Sequence, residues 1–303
     1  MTNPHERAER FSGHESFICR YGWLPKVFRA VVSNPRVLRD EELAMTTLGI
    51  GRNMVKSLQF WAEATGVIIV DGTGMHVPGS VGSRLFAESG WDPYLESLES
   101  LWLIHWQLST NAGLAAWNEV FGEGKLIRFD RQKLINALSQ RGAKLARPLA
   151  PSTLEQHTSI FIQSYYQAER GTDDTSWCPL QDLGLIKATK TEDGRVLYNT
   201  DLATPVGLSL RVFGLALIDF LARQDHSWTA DFKSVLKGNY SPGVVFRLDE
   251  HQLRQLIESA TAGPFHGALR FVDTADTQSI VLTPTTLDPQ YHSWAQEEVL
   301  EHA

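Results

Sequence analysis

Cysteine is nearly absent: the 303 residues hold two, Cys19 and Cys178, with no CxxC spacing. That scarcity excludes a disulfide framework and a cysteine-based zinc site. Long apolar runs are missing as well. The longest, such as Val67–Val70 and Leu101–Trp106, fall far short of the ~18–20 residues a membrane span needs. The opening MTNPHERAERF is charged and has no apolar core, so the sequence predicts no secretory leader, no membrane partner and a cytoplasmic protein. Positive charge is also short. With 28 Lys and Arg against 35 Asp and Glu, the net charge is −7, which on average disfavours nucleic acid as a partner.

What is present is the composition of an ordinary globular chain, 43% hydrophobic and 21% charged, and not that of a disordered tail. One core rarely grows past roughly 250–300 residues, so this length predicts two or three domains. The charge is unevenly spread. Residues 1–60 carry a balance of +3, and residues 124–150 carry +6, with Lys125, Arg128, Arg131, Lys133, Arg141, Lys144 and Arg147 against Asp130 alone. The remaining segments together hold −16. A basic cluster in an acidic protein reads either as a local phosphate footprint or as a solvated helix face beside acidic neighbours.

Apolar periodicity organises the chain. Gly22–Ser33 reads as a helix stopped by Asn34-Pro35, and Arg39–Leu48 as a second with acids in its first turn. After the Gly49-Ile50-Gly51 turn, Arg52–Thr65 reads as a third helix, with Arg52, Asn53, Lys56 and Gln59 on its polar face. A β-run, a Gly-rich turn and a second β-run follow in VIIVDGTGMHVPG. Three helices and a hairpin make a winged-helix pattern, whose third helix would read DNA or, alternatively, serve only packing or protein contacts.

Helices are also expected over Trp91–Leu108, started by Asp92-Pro93, over Asn111–Val120, and from Asp130 as cap through Ser139. A second helix-plus-hairpin unit runs through Leu154–Ala168 and KATKTEDGRVLYNT, with a polar Thr172–Ser176 loop between. A third contains helices over Leu208–Arg223, Trp228–Leu236 and Asp249–Ser259, then two strands in ALRFVDTADTQSIVLTP, before a terminal helix or tail over Asp288–Ala303. The predicted fold class is α+β, mostly helical, built of serial winged-helix-like modules with short β-hairpins. The predicted divisions are an N-terminal DNA-binding module (11–90), a helical segment with the basic cluster (91–150), a second module (151–206), and a third with the tail (207–303).

Particular strings carry a resemblance. Phe11-Ser12-Gly13-His14-Glu15-Ser16-Phe17, Arg20-Tyr21-Gly22-Trp23, Gly49-Ile50-Gly51-Arg52-Asn53-Met54-Val55, Asp92-Pro93-Tyr94-Leu95 and Leu101-Trp102-Leu103-Ile104-His105-Trp106 together resemble a bacterial family of SspB-like proteins of Ssp-type DNA phosphorothioation systems. Related members lie beside PAPS-reductase-like genes in phage-defence islands. The strings cover roughly residues 11–110. The resemblance implies a nicking endonuclease that opens one strand of double-stranded DNA, so that a cysteine desulfurase and an ATP-using partner install sulfur in the backbone. It implies no catalytic residue set.

The residues themselves show no familiar nuclease motif: no Asp…Glu-x-Lys arrangement, no paired His-x-Lys motifs and no His-Asn-His finger. Any metal would be a hard cation, Mg or Mn, clamping attacking and leaving oxygens, with its ligands unknown. The catalytic candidates are His14 and Glu15 as water-activating groups, with Arg20 and Tyr21 to hold and position a phosphate. The other reading is that His14 and Glu15 bond to neighbouring helices and lock the N-terminal leader in place. The missing motif supports a second reading, a non-catalytic DNA-binding adaptor that recruits the modifying enzymes; a third is a winged-helix transcriptional regulator, for which the two further modules would be excess.

Overall fold

The structure, a computed structural model, describes residues 9–166, 177–200, 205–224, 227–274, 277–289 and 291–295. The predicted Thr172–Ser176 loop, the Ala275-Asp276 turn and most of the C-terminal tail lie outside these. The fold is α+β and mostly helical.

Helices α1 (Trp23–Ser33), α2 (Glu41–Leu48) and α3 (Arg52–Ala64) are followed by the antiparallel hairpin β1 (Ile68–Val70) and β2 (His76–Pro78). They form within two residues of expectation at most ends because local signals are strong. The Asp40 carboxylate accepts from Leu43 N at 3.0 Å to cap α2, and Gly49, at φ 63°, ends it. A short helix that periodicity did not reveal, α4 (Ser80–Phe86), packs back on this unit.

The helix expected from Trp91 begins later, as α5 (Leu98–Thr110) capped by Ser97. Asp92 closes a loop ahead of it: its two carboxylate oxygens accept from Glu96 N and Ser97 N, each at 3.0 Å, and Leu95 takes φ 61°. Every residue from Ser100 to Thr110 is buried, as a helix in the middle of a core must be. Its neighbour α9 (Leu210–Ala222) is buried from Val212 onward. The two are tied by Trp106 Nε1, which donates to Asp219 Oδ2 at 2.5 Å, and Asp219 pairs with Arg223 one turn on.

The helix expected over Asn111–Val120 shortens to α6 (Ala115–Trp117), because Gly113 (φ 66°) reverses the chain and Asn118–Gly122 widens into a π-turn. Beyond it, β3 (Arg128–Phe129), α7 (Arg131–Gly142), α8 (Pro151–Tyr165), β4 (Lys187–Lys190) and β5 (Val196–Asn199) make the second unit. The third is β6 (Thr229–Asp231), α10 (Phe232–Lys237), α11 (Pro242–Val245), α12 (Glu250–Ala262), β7 (Leu269–Asp273) and β8 (Gln278–Leu282). The helix expected from Trp228 is preceded by β6, since Asp231 caps α10 through Ser234 N at 2.7 Å.

Both sheets share one order. The strand ahead of the helices pairs with the second strand of the hairpin, giving β3-β5-β4 and β6-β8-β7, antiparallel throughout. Buried residues from Phe11 to Ala295 join in a single cluster, so the units share one core. Among the described residues no helix is long and apolar enough to cross a membrane.

Candidate nucleic-acid interface

The N-terminal leader is a wedge. Gly13, at φ 111°, lies so close to the Phe60 ring that a Cβ there would sit 2.6 Å from it, so only glycine fits. This lets His14 enter the core between α3 and α8, stacked on Trp61 and His157. Ala116 N–H donates to His157 Nε2 at 3.2 Å, so that nitrogen is bare and the proton sits on Nδ1. His157 Nδ1 then donates to His14 Nε2 at 3.3 Å. His14 carries its own proton on Nδ1, which meets no partner among the described residues. Burial pushes His14 down to about 4, and burial, then the neighbouring His14, push His157 down to about 3. Both rings are neutral at pH 7.

The four catalytic candidates therefore do not form one site. His14 is 1% exposed and faces inward, whereas Glu15 is exposed, with φ 47°. Arg20 lies over the Phe17 and Trp23 rings, and the backbone N of Tyr21 donates to Trp177 O at 3.1 Å. No two of the four are joined by a side-chain contact among the described residues, and a buried imidazole cannot reach a phosphate. The arrangement matches the reading of His14 as a lock. Glu15 takes no part in that lock, because it points to solvent.

One other histidine and both thiols are also interior. His105 accepts from Tyr165 Oη at 2.7 Å through Nδ1 and donates to Val245 O at 3.0 Å through Nε2; burial lowers it to about 3. Cys19 and Cys178 are buried, and burial raises both thiols, Cys178 to about 12. Neither is a thiolate that could carry sulfur.

The basic candidates divide by their partners. On α3, Asn53 and Lys56 are exposed, and Arg52, also exposed, pairs with Glu41 of α2. Gln59 is half-buried, donating to Glu63 Oε1 at 2.8 Å and lying 3.3 Å from His76 Nε2. In the second unit Lys125 pairs with Glu123, Arg131 holds Glu155 O at 3.1 Å and Ser159, and Lys133 Nζ donates to Arg128 O at 3.0 Å.

Arg141 departs most from expectation. It is enclosed by three carboxylates, with Nε 2.7 Å from Glu9 Oε1, Nη1 2.8 Å from Glu119 Oε2 and Nη2 2.7 Å from Glu123 Oε1. Burial works against its charge, but the hydrogen bonds it donates to Glu123, Glu9 and Glu119 outweigh burial and raise its pKa. Arg141 is an internal counter-ion and not part of a surface patch. The basic segment was drawn from residue 124, one position past Glu123, and Glu9 lies 132 residues away, so its acids were not counted.

Arg128, Lys144 and Arg147 are exposed with neither an ion pair nor a side-chain hydrogen bond among the described residues, while Arg131 and Lys133, also exposed, bond only to neutral groups. The fold adds a residue the sequence reading missed. Arg128 pairs in register with Asn199, and Asn199 with Lys187, so the three occupy one rung of the sheet and project from one face. The next rung, Phe129–Tyr198–Ala188, turns to the other face, where Phe129 is buried. Lys187 is legible only once β3 is known to join the hairpin, and β3 is two residues long.

Among the described residues, no group of three His, Cys, Asp or Glu is placed to hold a metal ion. The three acids that do converge are already filled by Arg141.

No curated protein sequence matches this chain. Among solved structures it is similar to an SspB crystal structure, with 25% identity over 97% of this chain and 88% of the other, and a TM-score of 0.80. It is also similar in fold to magnesium ion-bound SspB, with 24% identity, the same coverage and a TM-score of 0.82. The chain is SspB-like. Residues 11–298 match the family described as protein of unknown function (DUF4007), and the chain belongs to that family.

Proposed function

We propose that the protein works in a DNA phosphorothioation system of the Ssp type, as the component that engages double-stranded DNA. The observation that carries this is the Arg128–Asn199–Lys187 rung, with exposed Lys144 and Arg147 beyond the far end of α7. Cations without carboxylate partners are the ones able to release counterions from a phosphate backbone. The winged-helix-like order of α1–α3 and the first hairpin supplies a second contact through Asn53 and Lys56, of the types that meet bases and phosphates. The likeness to SspB supports placement in such a system, in which a cysteine desulfurase and an ATP-using protein are the partners to test, and phage defence the setting.

Nicking of one strand is the activity proposed within that system, with its catalytic group outside the His14–Glu15 pair. A non-catalytic adaptor is the second reading, favoured by the lack of a metal-ready cluster among the described residues. Duplex binding followed by fluorescence anisotropy across a salt series tests the first step. Arg128→Glu with Lys187→Glu should weaken binding and reduce the log–log salt slope by about 2. An unchanged slope would remove the sheet face from the interface. Nicking of supercoiled plasmid with Mg²⁺ by wild type and by His14→Ala separates the two readings. Nicking by both supports the proposed activity, and nicking by neither makes the protein the adaptor.

A further inference from the structure

A cleft of about 360 Å³, whose lining shares no residue with the proposed DNA face, lies where α4, the loop after it and the start of α9 meet the segment around Tyr291. Two arginines, Arg84 and Arg211, and three serines, Ser83, Ser89 and Ser293, are in its lining, and among the described residues no carboxylate is. Arg211 lies over the Trp91 ring at 4.5 Å. Its Nε is 3.6 Å from Glu99, which already accepts from Ser209 Oγ at 2.6 Å. Among the described residues nothing accepts from the terminal nitrogens of Arg211. Trp91 Nε1 is shielded from solvent and also has no acceptor. Arg84 has protein partners of its own, among them Ser293 Oγ at 2.9 Å. Arg211 and Trp91 are therefore the donors still open.

A shielded N–H without an acceptor is costly, and a planar guanidinium beside it is matched to oxyanion geometry. On the other side of Arg84 the cleft continues into a chamber of about 450 Å³, sharing Ser83 and Arg84. There, among the described residues, Gln107 Nε2 and Trp294 Nε1 are buried without acceptors, Gln107 Oε1 being taken by Asn111 Nδ2 at 2.6 Å. Glu63 also lines this chamber, but it already accepts from Gln59 Nε2 at 2.8 Å and lies 3.0 Å from His76 Nε2, so the buried groups left without a partner in both chambers are donors. Their combined space exceeds what a lone phosphate needs.

We propose that this cleft is a binding site for a phosphate-type oxyanion, held by Arg211 and Trp91 Nε1, with the adjoining chamber available to the body of a phosphate ester. It shares no lining residue with the DNA face and does not rest on the function proposed above. Isothermal titration of the full chain with inorganic phosphate, thymidine 5′-monophosphate and a short DNA duplex distinguishes the sources of the anion. Saturable binding of at least one ligand is expected. Arg211→Gln should weaken it by about tenfold, the usual scale for a charge-assisted hydrogen bond. Trp91→Phe, which keeps the ring under Arg211 and removes only the N–H, should weaken it severalfold without lowering the melting temperature. Loss confined to the duplex would identify a backbone phosphodiester as the source; loss with phosphate or the monophosphate would identify a free anion or a nucleotide. No saturable binding of any of the three by wild type, or equal binding by wild type and both variants, overturns the proposal.

Discussion

The second and third units are built alike and finished differently. Each has a strand, helices and a hairpin, with the first strand pairing the last. In the second, the outward rung is Arg128–Asn199–Lys187; in the third, the rung Thr229–Val281–Arg270 has one cation, and Asp231 stands two positions on. The helix before the third hairpin exposes Glu250 and Glu258, while its Arg254 is engaged by Asp273 and lies over Phe232 and Phe271. Topology decides where a helix and hairpin stand. Unpaired charge decides which of them can meet a phosphate backbone. The first unit, with exposed Asn53 and Lys56 on α3, sides with the second.

The sharpest test within the second unit separates its buried cation from its exposed ones. Arg141→Met leaves Glu9, Glu119 and Glu123 facing one another in a half-buried site, and removing one partner of such a cluster costs about 3–5 kcal/mol. Urea denaturation should show that loss, with the salt slope of DNA binding unchanged in the folded protein. Lys144→Glu with Arg147→Glu should do the reverse: stability within about 0.5 kcal/mol of wild type and a salt slope lower by about 2. Should Arg141→Met lower the slope and spare stability, Arg141 belongs to the surface after all.

Acid should expose another contrast. His14 and His157 join the leader to the second unit and are buried neutral, whereas His251 and His266 of the third unit are exposed. In the unfolded chain a histidine titrates near 6.5, while His14 in the fold titrates at about 4 and His157 at about 3. Below pH ~6.5 the unfolded chain therefore binds more protons, and stability falls as pH falls, by about 1.4 kcal/mol per pH unit for each such histidine. This loss continues towards the folded values. His157→Gln keeps an acceptor for Ala116 N and removes one titrating group, so the acid slope between pH 6 and 5 should shrink by about one proton. A slope equal to wild type would mean that His157 is already protonated in the fold.

Local physics made much of the architecture readable. The Asp40, Asp130 and Asp249 caps, the Asn34-Pro35 stop and the Glu192-Asp193-Gly194 turn each act within a few residues. The helices and hairpins beside them stand near where they were expected. What escaped depends on distant partners. β3 exists because of β5, about seventy residues on. His14 reads as a catalytic base until His157, 143 residues away, turns it into a packed ring. Arg141 reads as a phosphate contact until Glu9 arrives from the leader. A titratable residue has the same sequence signature whether its partner is a substrate or another helix. The candidate catalytic group was thus the least legible feature, and the amphipathic helices the most.

The smallest expected effect is the one that most directly probes the contrast between the two units. Glu250→Lys with Glu258→Lys would give α12 a cationic outward face in place of its acidic one. If DNA lies along the second unit's sheet face, these charges act only at a distance, and at physiological salt the Debye length of about 8 Å screens them. Affinity should then rise by no more than about threefold, with the salt slope unchanged, because no further counterion is released without direct phosphate contact. A slope steeper by about 2 would place α12 against the duplex. In that case the acidic face of the third unit would be a brake on DNA binding, and the shared strand order would mark two docking elements of which one is held off by charge.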